Sequence, residues 1–260
     1  MPARPEPQAR PAEADAPRGL DAFGDASPEL LNARVLQQRV DRKFLLRRNA
    51  LDALLAQLVE GHRAVRSGAV RAARYRTRYF DTPDRRAYHD HRRDRRPRFK
   101  VRVRHHFDRD LTFLEIKRKG ADGRTTKARL ERPSGCEGLD AEALAFIDRH
   151  CPLEGARLAP GPSIAFLRAT LLGEAVDERI TLDWALQMSD GPRHVCLPHI
   201  VIVEVKQGRY SNGTPTVRTL RALHVREHRL SKYCVASAMM APVPAHVFKP
   251  VLRAMEQMSG

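Results

Sequence analysis

Four cysteines in 260 residues, Cys136, Cys151, Cys196 and Cys234, with no two in a CxxC spacing, leave this sequence without a zinc knuckle or a disulfide scaffold. They read as buried or idle thiols. It also lacks any run of eighteen apolar residues, which excludes a membrane-spanning helix, and its N-terminus has no apolar stretch of the kind a signal peptide needs. A soluble, cytoplasmic chain is expected. Aromatic residues make up 6% of the chain, with a single tryptophan, too few for a platform on which nucleic-acid bases would stack. Ser163 and Ser231 lie in no GxSxG context, and the pairs His89/His91 and His105/His106 have no further ligands to complete a tetrahedral metal site. Acidic residues are scarce relative to basic ones, 31 against 47, and the formal charge of +16 calls for a polyanionic partner.

The first 28 residues are rich in proline and alanine and carry three arginines against five carboxylates, so the positive surplus belongs to the rest of the chain. Such a stretch cannot bury enough apolar surface to offset the entropy of ordering it. Residues 1–28 are expected to form a disordered tail and residues 29–260 one domain. Helices are few. One is expected to be capped by Asn49 and to run through Leu51, Leu54, Leu55, Leu58 and Val59 to Gly61; another spans about 140–150, with Leu144 and Ile147 inward. A third starts at Thr214-Pro215 with Val217 and Leu220 inward, and a C-terminal helix carries Val251 and Met255 on its buried side.

Between the helices the period changes from 3.6 to 2. Charged residues alternate with apolar ones in six segments: Asp41 and Lys43; Lys100, Arg102 and Arg104; Glu115 and Lys117; Lys127 and Arg129; Arg179 and Asp183; Glu204 and Lys206. One such strand would be an ordinary sheet face turned to water. Six of them, with Lys and Arg where serine or glutamine would serve as well, predict a mainly β (α+β) fold: a closed antiparallel β-barrel with flanking helices over its apolar outside and a basic lumen. Cations converging in a confined space repel one another and lose protons on burial unless anions pair with them. A chain of phosphates fits, because each oxygen can accept a charge-assisted bond from an arginine fork or a lysine ammonium. The interspersed carboxylates would then help to hold a divalent metal against phosphate oxygens.

The strings RKF (42–44), YFDTPD (79–84), KVRVR (100–104), LEIKRK (114–119), TKARLER (126–132), FLRATL (166–171), RITLD (179–183), VEVK (203–206) and LSKY (230–233), in this order, resemble the VTC domain. This is the polyphosphate polymerase module of the triphosphate tunnel metalloenzyme superfamily. The resemblance implies a closed tunnel of eight antiparallel strands that transfers the γ-phosphoryl group of ATP to a growing inorganic polyphosphate chain with Mn2+ or Mg2+. It also implies site residues. Arg102, Arg104, Lys127 and Arg168 would act on the transferring group, Lys43, Lys117, Arg179, Lys206 and Lys232 would bind phosphates, and Glu204, with Glu115 second, would hold the metal. Lys100 and Arg129 join the phosphate-binding set from their places in the alternation. Asp183, next to this set, is expected to orient a basic side chain.

Two departures matter. The superfamily's triphosphatases open with ExExK, and here those positions are Arg39, Asp41 and Lys43, so that one carboxylate is replaced by a cation. This favours chain transfer over activation of water; a triphosphate hydrolase and a non-catalytic polyphosphate-binding protein are the alternatives. Phe166 stands where the family more often shows tyrosine. The facing of Arg74, Arg76 and Arg78 is ambiguous, and the run Arg92 to Arg98 reads equally as a guard at the tunnel mouth or a solvated turn. Nucleic acid is not expected as a partner. Export of product would require a separate membrane partner.

Overall fold

The computed structural model describes residues 16–35 and 39–259. Ten strands form one antiparallel sheet: β1 (Val40–Arg47), β2 (His62–Ala64), β3 (Ala73–Asp81), β4 (Arg98–His106), β5 (Leu111–Lys119), β6 (Thr125–Arg132), β7 (Ala159–Gly173), β8 (Glu178–Asp190), β9 (Arg193–Leu197) and β10 (Ile200–Gln207). Eight of them follow the path β1-β10-β8-β7-β3-β4-β5-β6, with β2 added on β7 and β9 on β8. Seven helices flank the sheet: α1 (Pro28–Ala33), α2 (Leu51–Ala56), α3 (Arg86–Arg92), α4 (Ala141–His150), α5 (Pro215–Ala222), α6 (Lys232–Met240) and α7 (Lys249–Ser259).

The mainly antiparallel sheet with flanking helices agrees with the alternation. Closure into a barrel does not: among the described residues β1 and β6, the two ends of the path, are not paired with each other. The reason lies at the free edge of β1. There Phe44 bridges Glu227, and the His228 N–H donates to the Lys43 carbonyl at 2.7 Å, so the segment before α6 supplies backbone partners that β6 would otherwise give. The sheet is curled nonetheless, since Lys117 on β5 lies close enough to Lys43 on β1 and Glu204 on β10 for their charges to be felt.

Each face has its own covering. Phe44, Leu171, Ile180, Leu182, Val203 and Val205 turn to the convex side and pack under Leu51, Leu54 and Leu55 of α2 and Val217 and Leu220 of α5. Val101, Val103, Leu114 and Ile116 pack under Ala143 and Ile147 of α4. On the concave side one end is filled by α6, whose Tyr233, Cys234, Val235 and Ala236 are all buried against Leu45, Ile164, Phe166 and Ile202. A helix buried on every side has no amphipathic period, which is why the alternation of apolar and polar residues gave no sign of it.

Part of the expected 1–28 tail is packed on the domain. Residues 1–15 lie outside the described residues, but Arg18–Ala22 form a 3-10 helix and Leu20 and Phe23 are buried in the core beside α2. Two large apolar side chains suffice to anchor a polar segment once a preformed groove receives them. The expected helix from Asn49 is also interrupted: α2 ends at Ala56, a separate 3-10 turn covers Val59–Gly61, and Asn49 caps nothing.

Candidate functional site

Strand register decides which charged residues meet. Lys43 faces Glu204 and Asp41 faces Lys206 across β1 and β10; Glu204 and Lys206 face Thr181 and Arg179 on β8. Asp183 faces Arg168 on β7, and Arg168 faces Ala73 on β3. From β3 the row continues through Thr77 to Arg104 and Tyr79 to Arg102, then Arg102 to Glu115, Lys100 to Lys117, and on to Arg129 and Lys127 of β6. Directly opposed residues share a sheet face. The ten cations expected from the strands therefore line one concave face, and Lys232 joins them from the first turn of α6. Tyr75, Thr77 and Tyr79 point the same way, so Arg74, Arg76 and Arg78 take the convex side, where Arg74 pairs with Asp108 and the other two with Glu137.

Two buried carboxylates organise the cations. Asp183, wholly buried, accepts from Arg168 Nε at 2.5 Å and Nη2 at 2.7 Å and from Lys232 Nζ. Burial alone would raise its pKa, but Arg168 and Lys232 hold it down at about 2. Glu115, 1% exposed, accepts from Arg102 Nε at 2.8 Å and Nη2 at 2.7 Å and pairs with Lys127 and Arg129. Its pKa also falls, the three arginine and lysine neighbours Arg102, Arg104 and Lys127 outweighing burial.

The remaining cations are under-compensated. Burial, then Lys43, pushes Lys117 down to about 8; burial brings Lys127 to about 8 despite Glu115; and burial with Arg102 lowers Arg104 to about 10. Among the described residues the side chains of Lys43, Lys117 and Arg179 make no ion pair or hydrogen bond, whereas Lys100 donates to Ser231 Oγ at 2.7 Å and Arg104 to Thr77 Oγ1 at 3.1 Å. Tyr79, the first residue of the YFDTPD string, was given no role in the site. Its hydroxyl lies 3.4 Å from Arg102 Nη1, and although burial would raise its pKa, Arg102, Arg104 and Lys100 bring it below the phenol value. Only the parity of β3, which sequence leaves open, puts it there.

This strand order and basic face accompany a match of residues 38–135 to the family model of the VTC domain. Residues 38–135 thus resemble a VTC domain. The matched stretch runs from β1 to the end of β6 and holds Lys43, Lys100, Arg102, Arg104, Glu115, Lys117, Lys127 and Arg129; Arg168, Arg179, Glu204, Lys206 and Lys232 follow it. No curated protein matches the chain. Among solved structures, it is similar to a Bacillus halodurans protein described as a candidate adenylate cyclase, at 15% identity over 75% of this chain and 95% of that one, with a TM-score of 0.47. A Hippeastrum protein described as a candidate adenylyl cyclase with a dominant triphosphatase activity gives 13% identity, 80% and 98% coverage and a TM-score of 0.46. A Pyrococcus horikoshii protein gives 16%, 74% and 94%, and 0.41.

The two expected metal ligands differ. Glu115 has one oxygen held by Arg102 and the other paired with Lys127 and Arg129, so three cations already balance its charge and it fits a metal less well than Glu204. Glu204 is half-buried, pairs with Lys206 through Oε1 at 3.0 Å and has its pKa held well below the usual range, where Lys206, Lys43, Arg168 and Lys232 outweigh burial. An ionised single carboxylate fits a divalent cation shared with substrate phosphates. Asp41 is less free, being held by Arg39 Nε at 3.0 Å. Among the described residues no three His, Cys, Asp or Glu side chains gather into a metal cluster, and the half-buried His91, whose imidazolium is suppressed by desolvation and by Lys100 and Arg98, packs on Phe248. No helix among these residues is long and apolar enough to cross a membrane.

Proposed function

We propose that this protein is a cytoplasmic polyphosphate polymerase that transfers the γ-phosphoryl group of ATP to the end of an inorganic polyphosphate chain. The observation that carries this reading is the concave face itself. Eleven lysines and arginines share it, and the side chains of three of them, Lys43, Lys117 and Arg179, make no ion pair or hydrogen bond among the described residues. Lys43, Lys100, Lys117, Arg129, Arg179, Lys206 and Lys232 would hold the phosphates of nucleotide and polymer. Arg102, Arg104, Lys127 and Arg168 would surround the transferring group, with Glu115 and Asp183 keeping Arg102 and Arg168 oriented as forks.

In the transfer an oxygen of the terminal phosphate of the chain attacks the γ-phosphorus, the bond from that phosphorus to the β,γ-bridging oxygen breaks, and ADP leaves with that oxygen. The polymer grows by one phosphate. Charge accumulates on the three equatorial oxygens and on the leaving oxygen, where fixed guanidinium and ammonium groups stabilise it without reorganising. Glu204 is the side chain that would hold Mg2+ or Mn2+, and the ion would supply further neutralisation of phosphate charge.

The test is incubation of the purified protein with ATP and manganese, with polyphosphate read on a gel and orthophosphate and ADP measured in parallel. The expected result is a polymer ladder with ADP in proportion, lost in Lys43→Ala and in Arg104→Ala. Orthophosphate without polymer would overturn the reading in favour of a triphosphate hydrolase, and neither product in favour of a binding role.

A further inference from the structure

The run Arg92 to Arg98 has so far no part in this site. Arg98 stands opposite Lys119 across β4 and β5, two residues beyond the Lys100–Lys117 pair and therefore on the same concave face. The row Arg104, Arg102, Lys100, Arg98 thus runs about 20 Å along one strand, from the interior to its edge. At that edge a single carboxylate gathers three arginines. Asp94, in a left-handed conformation (φ 54°), lies 2.5 Å from Arg98 Nη1, 3.2 Å from Arg229 Nη2 and 3.9 Å from Arg96 Nη2.

We infer that Arg96, Arg98, Lys119 and Arg229 form a second polyanion-binding site, a rim over which a phosphate chain too long for the concave face continues outward. The inference rests on the polymerase reading and adds a polarity to it: the chain extends past the β4–β5 edge. Four observations support it. The four cations have one carboxylate among them, so the rim carries a positive surplus. Lys119 is crowded, its pKa lowered by burial and then by Arg98 and Arg96. Arg96 and Arg229 are exposed by more than a third, whereas Arg98 is nine-tenths buried and pre-positioned. The rim is also continuous with Lys43, whose charge is felt at Lys119. A solvated turn would place such charges apart; here the turn carrying Asp94 and the segment before α6 bring arginines from distant parts of the chain to the end of the lysine and arginine row.

The experiment compares binding of tripolyphosphate and of long-chain polyphosphate to the full chain and to Arg96→Gln/Arg229→Gln and Lys119→Ala variants over a salt series, with thermal melting to verify folding. Expected is a loss of roughly tenfold or more in long-chain affinity with tripolyphosphate affinity changed less than twofold. The double variant should also flatten the slope of log K against log salt by about 1.4, two contacts at the value for flexible single strands. Equal loss for both ligands, or no loss for either, in both variants would overturn the rim. Failure of the unmodified protein to bind tripolyphosphate would instead overturn the polymerase reading on which the rim depends.

Discussion

Replacing Asp183 by asparagine keeps the shape of a fully buried side chain and removes its charge, leaving Arg168 and Lys232 without the carboxylate that both contact. The magnitude follows in two ways. A pKa held at about 2 against an ordinary value of 3.8 corresponds to about 2.5 kcal/mol of stability at neutral pH. Removing one partner of a buried ion pair costs about 3–5 kcal/mol, because the other charge is left uncompensated. Taking about 3 kcal/mol, the melting temperature should fall by about 6–12 °C for a domain of this size. Since the stranded cations belong to the proposed phosphate site, tripolyphosphate at a hundred times its dissociation constant should return about 2.7 kcal/mol. Differential scanning calorimetry with and without ligand reads both numbers. The control is Glu154→Gln, which breaks the exposed pair with Arg157 and should cost less than about 0.5 kcal/mol. A change in Asp183→Asn no larger than in the control would refute the claim that this carboxylate balances the buried cations.

Lys117 and Lys127, with pKa values near 8 in the fold against 10.5 ordinarily, make two opposite predictions for alkaline pH. Tripolyphosphate affinity should fall as pH rises through 8, because the ligand loses its ammonium partners. Stability without ligand should rise between pH 8 and 10.5, because the folded state sheds crowded charge while the unfolded state still holds its protons; titration calorimetry and melting curves over this range check the two signs. Asp81→Ala should destabilise by about 3–5 kcal/mol in urea titration, since the buried carboxylate accepts from the N–H groups of Thr82, Ala87 and Tyr88 at 2.8, 2.9 and 3.0 Å and from the Tyr233 hydroxyl, and its loss strands several buried donors.

The last case shows what a motif can hide. In YFDT, Tyr79 turns to the concave face, Phe80 to the α4-side core, and Asp81 ties the end of β3 to the N-terminus of α3 and to α6, with Thr82 Oγ1 accepting from the Arg86 N–H. A resemblance built in part on that string says nothing of these three separate tasks.

Period-2 alternation by itself determined that the lysines and arginines of each strand share a face, because side chains of a strand alternate whatever the strand pairs with. The VTC motifs, likewise, were legible in the linear order of short strings. Only tertiary structure decided the rest. Pairing register chose the partners, so that Glu115 became locked among Arg102, Lys127 and Arg129 while Glu204 kept an oxygen available. The place of β3 between β4 and β7, with Tyr79 opposite Arg102, set the parity of Tyr79, which local alternation cannot resolve where aromatic and charged residues are mixed. The segment before α6 satisfied the outer edge of β1 and left β1 and β6 unpaired. These outcomes depend on backbone groups meeting from distant parts of the chain, and a hydrogen bond to a far partner leaves no period in the residues that make it.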